Sequence, residues 1–99
     1  MDFGDAIREL KNGNCVTRKG WNGAGLFVCK QIPSEIPSDV IPRMQSLPES
    51  AKQLFLNGND ANETINYENQ MIISSPVSRE INSWVPSSSD IFAEDWMLV

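Results

Sequence analysis

Ninety-nine residues, 40% hydrophobic and 21% charged, describe one folded soluble domain with no room for a second independent core. A formal net charge of -5 argues against a DNA-binding face. The absence of histidine excludes Ser-His-Asp and Cys-His nucleophile systems, His-containing zinc sites and imidazole acid–base work. No apolar run approaches the ~20 residues of a spanning helix. Met1-Asp2-Phe3-Gly4-Asp5 is acidic where a signal peptide is basic, so neither a membrane nor export is expected. Cys15 and Cys29 are too few for a disulfide scaffold, and the expected compartment is a reducing one.

Phe3, Ala6, Ile7 and Leu10 fall on one helical stripe, with Asp2 placed to cap its start and Asn12-Gly13 its end. A strand is predicted at about Cys15–Lys19 and another over Leu26–Ile32. Gly20 to Gly25 forms a glycine-rich turn between them, leaving room for little but a hairpin. Pro33, Pro37, Pro42 and Pro48 then rule out a central strand. Leu47, Ala51, Leu54 and Phe55 predict a helix face, with Pro48 in its first turn and Gly58 as its stop. Asn57 to Asn62 reads as a polar loop, and residues 33–66 as an excursion between two halves of a sheet. Strands are predicted again over Glu68–Ser75, from Glu80 to Val85, and over Asp95–Val99. Before the last of these, Ser87 and Asp90 form a capping box for a short helix through Ile91, Phe92 and Ala93. The expected class is therefore α+β: a small antiparallel sheet, an N-terminal helix, a helical and Pro-rich excursion, and a short C-terminal helix.

Few residues carry chemistry. Trp21 stands on a turn among glycines, where a large aromatic side chain is a stacking platform for a flat ring. The alternative is that it closes the end of a small core or sits in a subunit interface. Arg18 and Lys19 precede it and are candidate contacts to a diphosphate, or else solvated strand residues. Trp84 lies before Pro86 and Ser87-Ser88-Ser89, where a helix N-terminus offers N–H groups to an anion. Asp90 there is a candidate acceptor for ribose hydroxyls or an exocyclic amine, and equally a helix cap. Glu94 and Asp95, adjacent on a strand, point to opposite faces and do not converge. No acid–base pair and no metal-ligand spacing is read, so neither catalysis nor a cofactor is expected. Trp96 reads as core.

Two stretches carry a resemblance. Phe3-Gly4-Asp5-Ala6, Leu10-Lys11-Asn12-Gly13 and Val16-Thr17-Arg18-Lys19-Gly20-Trp21-Asn22-Gly23 resemble the N-terminal signature of the second Thoeris anti-defence family of phage proteins. The run from Trp84-Val85-Pro86-Ser87 to Asp95-Trp96 resembles its C-terminal signature, while 33–66 has no clear counterpart. The resemblance implies small α+β proteins that bind, without cleaving it, a cyclic ADP-ribose isomer made by the bacterial Thoeris TIR sensor. It implies homotetramers with ligand pockets between protomers, acting in the host bacterial cytoplasm. Some relatives also take up cyclic di- or trinucleotides of another defence system. Ligand contacts are then expected at Trp21, Asn22, Trp84, Ser87, Asp90, Arg18 and Phe27. Arg43, in the long excursion, is a second source of phosphate contact. A cyclic-nucleotide hydrolase is the competing activity, with Asp90 and Asp95 as its nearest acids.

Overall fold

The computed structural model describes residues 1–21, 25–57 and 64–99. The chain divides into two compact units, the first made of Met1–Gln31 and Asn69–Val99, the second of Ile32–Glu68.

In the first unit, helix α1 (Phe3–Lys11) starts on the Asp2 cap as expected. The cap is reciprocal: Asp5 N–H donates to Asp2 Oδ1 at 2.7 Å, and Asp2 N–H to Asp5 Oδ2 at 3.1 Å. Gly13, at φ 89°, supplies the left-handed residue beyond the C-cap Asn12. Strands β1 (Val16–Arg18) and β2 (Phe27–Lys30) form the predicted hairpin, Val16 opposite Val28. Asn22, Gly23 and Ala24 of the predicted turn lie outside the described residues.

The excursion is the second unit, and it carries more structure than its prolines suggest. Strand β3 (Ser34–Ile36), set between Pro33 and Pro37, pairs antiparallel with β4 (Ile65–Tyr67). Both belong to a two-stranded ribbon with open edges, where neighbouring prolines break no ladder. A 3-10 turn at Ile41–Arg43 meets helix α2 (Glu49–Leu56), of which Pro48 is the N-cap and not a first-turn residue. Gly58, predicted as its stop, lies outside the described residues, as does most of the Asn57–Asn62 loop. The inward face of α2 also differs from expectation. Leu54 is 79% and Phe55 49% exposed, whereas Lys52 is buried with its Nζ donating to the Pro42 carbonyl at 3.3 Å. Its aliphatic stem covers apolar surface while the ammonium finds a carbonyl.

Back in the first unit, β5 (Met71–Ser74) pairs with β2 and with β6 (Asn82–Ser83), which is far shorter than the predicted Glu80–Val85 strand. Helix α3 (Ser88–Phe92) follows, capped by Ser87, and β7 (Trp96–Leu98) pairs with β1. The result is a five-stranded antiparallel sheet in the order β6-β5-β2-β1-β7. Ala6 and Leu10 of α1 lie on Val16, Val28 and Trp96, one from each of three adjacent strands, and this is the buried core. The α+β architecture thus matches the sequence expectation. No helix among the described residues is long and apolar enough to cross a membrane.

Candidate functional site

The two sequence signatures meet in space, and the β1–β7 pairing is the reason. Its register sets Arg18 directly across from Trp96, so the end of the hairpin and the loops around α3 are brought side by side. Three tryptophans then stack edge-on. Trp21 and Trp96 have ring centroids 5.3 Å apart, and Trp84 lies 6.0 Å from each, with interplanar angles of 75–77°. Such T-shaped pairs place the positive edge of one ring on the negative face of another. Trp96 is the buried centre, with Phe3 at 5.5 Å on its other side. Trp21 and Trp84 are half-buried around it. Trp21 thus closes the end of the core, one of the two places the sequence leaves open for it, and keeps part of its ring for solvent.

Beside the rings, one guanidinium holds the two signatures together. Arg18 Nη1 donates to Asp90 Oδ1 and its Nε to Asp95 Oδ1, both at 2.9 Å. Asp95 Oδ2 in turn accepts the Gly20 N–H at 2.9 Å, and Asp90 Oδ2 accepts the Ser87 N–H at 2.9 Å and hydroxyl at 2.8 Å. Asp90 N–H returns to Ser87 Oγ at 3.2 Å, so the predicted capping box has both arms. The Trp96 indole Nε1 donates to the Asp90 carbonyl at 2.9 Å, tying the ring cluster to the ion-pair network.

These contacts determine the charge states. The hydrogen bonds that Arg18 donates to Asp95 and then to Asp90 raise the pKa of its guanidinium. Arg18 first, then the Gly20 N–H, pull the Asp95 carboxyl below its ordinary value. Burial pushes the Asp90 carboxyl up, but the Ser87 N–H and hydroxyl together with Arg18 outweigh it, so it too is lowered. Both acids stay ionised at neutral pH.

The predicted residues are therefore placed unequally. Trp21, Trp84, Ser87, Asp90 and Arg18 converge. Asn22 lies outside the described residues. Phe27 does not join them: it is one residue out of phase with Val28 on β2, so it leaves the sheet on the face opposite the Val16, Val28 and Trp96 core. At Ser87 both the N–H and the hydroxyl are taken by the Asp90 carboxylate. Arg43 is exposed in the second unit, at the end of the 3-10 turn. Sequence reasoning set Asp95 aside as a carboxylate without a partner, and it is an anchor of Arg18. The signal was available: an arginine whose strand neighbours face the core needs a carboxylate close by.

Gly20 fits closely into this arrangement. A Cβ built on it would lie 3.0 Å from Asp95 Oδ2, the oxygen its own N–H binds. Gly20→Ala is expected to push that carboxylate off Arg18 and lower stability by about 1 kcal/mol. A urea titration monitored by tryptophan fluorescence measures this, and an unchanged midpoint would show that Asp95 has slack.

Two concavities among the described residues lie elsewhere. One of about 510 Å³ runs along the β3–β4 ribbon, lined by Pro33, Ser34, Glu35, Asn66, Tyr67 and Glu68. One of about 340 Å³ lies between α1 and β5, with Lys11 and Lys30 at the rim of Ile7, Leu10 and Met71. Among the described residues no three or more His, Cys, Asp or Glu side chains converge as a metal site.

Comparison with known proteins decides the family. The Thoeris anti-defense 2-like domain matches the chain over residues 1–99. The chain belongs to this family. A relative from Bacillus phage SP01, named Thoeris anti-defense 2, is 33% identical over 99 residues, spanning 100% of this chain and 94% of its own. The Thoeris anti-defense 2-like match thus includes 33–66, the stretch that seemed to lack a counterpart. Membership supports a phage anti-defence role against Thoeris.

Proposed function

We propose that this protein counters Thoeris by binding its signal, a cyclic ADP-ribose isomer, and holding it uncleaved so that the host effector is never activated. The observation that carries the reading is the meeting of the two signatures in one cluster of indoles around a guanidinium. The half-buried rings of Trp21 and Trp84 are surfaces on which an adenine stacks, worth ~1–3 kcal/mol per base. Arg18 makes no hydrogen bond through Nη2 among the described residues, which leaves that atom for a phosphate oxygen. Asp90 and Asp95 hold the guanidinium at a fixed angle for it.

Binding without turnover is the reading the electrostatics favour. Asp90 and Asp95 do converge, but on Arg18, and both are ionised with no proton to give. A hydrolase needs one of such a pair to be protonated or to face an activated water. In the host cytoplasm the protein acts as a homo-oligomer, a tetramer, with pockets shared between copies and neither metal nor cofactor. Val85 and Phe92, each 83% exposed beside Trp84 and α3, are apolar surface suited to a second copy. A chain of this size encloses a dinucleotide-sized ligand poorly on its own, and shared pockets relieve that.

The test is direct. Protein is mixed with the signal and filtered, and effector activation is assayed on the filtrate and again after the retained protein is heated. The expected result is a silent filtrate and full activity on heating. ADP-ribose in the heated fraction in place of intact signal would establish cleavage. Calorimetric titration with cyclic ADP-ribose isomers and cyclic di- and trinucleotides then ranks the ligands, with the ADP-ribose isomers expected to bind tightest.

A further inference from the structure

Cys15 and Cys29 belong to neither the tryptophan cluster nor the Arg18 network, yet the sheet sets them against each other. The register pairing Val16 with Val28 brings Cys15, one residue before β1, directly opposite Cys29 of β2. Hydrogen bonds on the outer sides of the hairpin reveal which kind of pair this is. The Cys15 carbonyl accepts the Val99 N–H, and the Lys19 N–H donates to the Asp95 carbonyl, both at 3.1 Å. Odd-numbered residues here thus turn their backbone groups toward β7, and Val16 and Arg18 turn theirs toward β2. On the other strand, Gln31 N–H donates to the Gln70 carbonyl at 2.8 Å, so by the same alternation Cys29 turns its backbone toward Ile72 of β5.

Cys15 and Cys29 are therefore a non-hydrogen-bonded pair, the class in which facing Cα atoms approach to about 4.5 Å and side chains come closest. That spacing falls inside the range of about 4.4–6.8 Å that a disulfide bridges. Both side chains are half-buried and both thiols free, on the sheet face away from α1. Two cysteines are too few for a disulfide scaffold, but their register sets them as a facing pair.

We propose that Cys15 and Cys29 are a cross-strand dithiol that closes to a disulfide when it meets a small-molecule disulfide oxidant such as oxidised glutathione. One cysteine thiolate attacks the oxidant, forming a mixed disulfide and releasing one glutathione thiol. The second cysteine attacks the protein sulfur of that mixed disulfide and releases the other. Two protein thiols are oxidised, two glutathione thiols are formed, and the protons pass to solvent and the leaving thiolates. Burial, and then its neighbour Cys15, push the Cys29 thiol up, which suits Cys29 to the second step, where proximity replaces thiolate fraction.

The bond closes a ring that contains Arg18, Gly20 and Trp21, and so locks the hairpin that delivers them to Asp90, Asp95 and Trp96. The device stands whether or not the protein sequesters a nucleotide. Full-length reduced protein, freed of reductant and incubated with oxidised glutathione, is to be followed by intact mass, thiol alkylation and non-reducing peptide mapping. The expected product is lighter by two hydrogens, resists alkylation, and joins the Cys15 and Cys29 peptides. It should melt roughly 10–20 °C higher, since a loop of about fifteen residues is closed, and revert with dithiothreitol. Cys29→Ser should stop at a single glutathione adduct on Cys15, and Cys15→Ser should reach its single adduct more slowly. A wild-type end product that is an adduct, a disulfide between two chains or an unmodified dithiol overturns the proposal. So does a linked product melting below the reduced protein, because the bond would then have formed by distorting the strands.

Discussion

Trp96→Ala is expected to lower the melting temperature by roughly 15–30 °C, equivalent to a loss of about 3–5 kcal/mol. Total stability for a domain of this size is of order 5–15 kcal/mol, so much of the protein would be unfolded near physiological temperature. The reason is position. Trp96 is 2% exposed, lies on Phe3 from α1, and is the ring on which both Trp21 and Trp84 rest. Its removal leaves a cavity at the junction of helix, sheet and the two signature loops. Trp96→Phe separates packing from hydrogen bonding, since it keeps most of the ring but removes the indole N–H, leaving the Asp90 carbonyl to the longer 3.4 Å bond from the Ala93 N–H. Calorimetric melts of both variants measure this. A Trp96→Ala protein melting within a few degrees of wild type would show that the core does not depend on this residue.

Asp90→Ala is the second large effect, expected at about 2–4 kcal/mol. It removes the reciprocal arm of the α3 cap, worth about 0.5–2 kcal/mol, and leaves the half-buried Arg18 with one carboxylate in place of two. The loss stays below that of an orphaned buried charge because Asp95 remains. The same residues predict an acid transition. Both carboxyls have folded-state values below the ordinary 3.8, so the stability they contribute is fully present above that value. It is lost as pH falls through the lower folded values. Melting temperature should be level from neutral pH to about pH 5 and then fall steeply below about pH 4. Asp90→Asn keeps a hydrogen-bond acceptor for the cap but no titrating charge, so it should start less stable at neutral pH and fall less in acid. Parallel curves for the two proteins would place the acid transition elsewhere.

Wherever a local signal existed, the elements were legible. Phe3, Ala6, Ile7 and Leu10 place α1, and Asp2 and Gly13 bound it, because capping and helical periodicity are properties of a dozen consecutive residues. The Ser87–Asp90 box was read and is present on both arms. Asp5, three residues after the Asp2 cap, completes a second box of the same kind, which the sequence reading of Asp2 alone leaves out. Strands β3 and β4 were missed because three residues each, one of them flanked by prolines, give too short a stretch for alternation to register. On α2, Leu54 and Phe55 share the apolar stripe yet are exposed. A stripe says which residues share a face, but only a partner surface says which face is covered, and Ile41–Arg43 covers the side carrying Lys52.

By itself, then, the sequence determined the α+β class, the limits of α1 and the cap of α3, the lack of imidazole chemistry and the two signatures that carry the family. Only the tertiary structure decided what those signatures do to each other. Arg18 meets Asp90 and Asp95 across 72 and 77 residues of chain, and Cys15 meets Cys29 through strand register. Trp21 turns from an isolated platform into one edge of a three-ring cluster. Capping and periodicity act over a few residues and are written locally. Convergence depends on β1 choosing β7 in one register, a choice made by burying Val16, Val28 and Trp96 together under α1, and no short stretch of the chain encodes it.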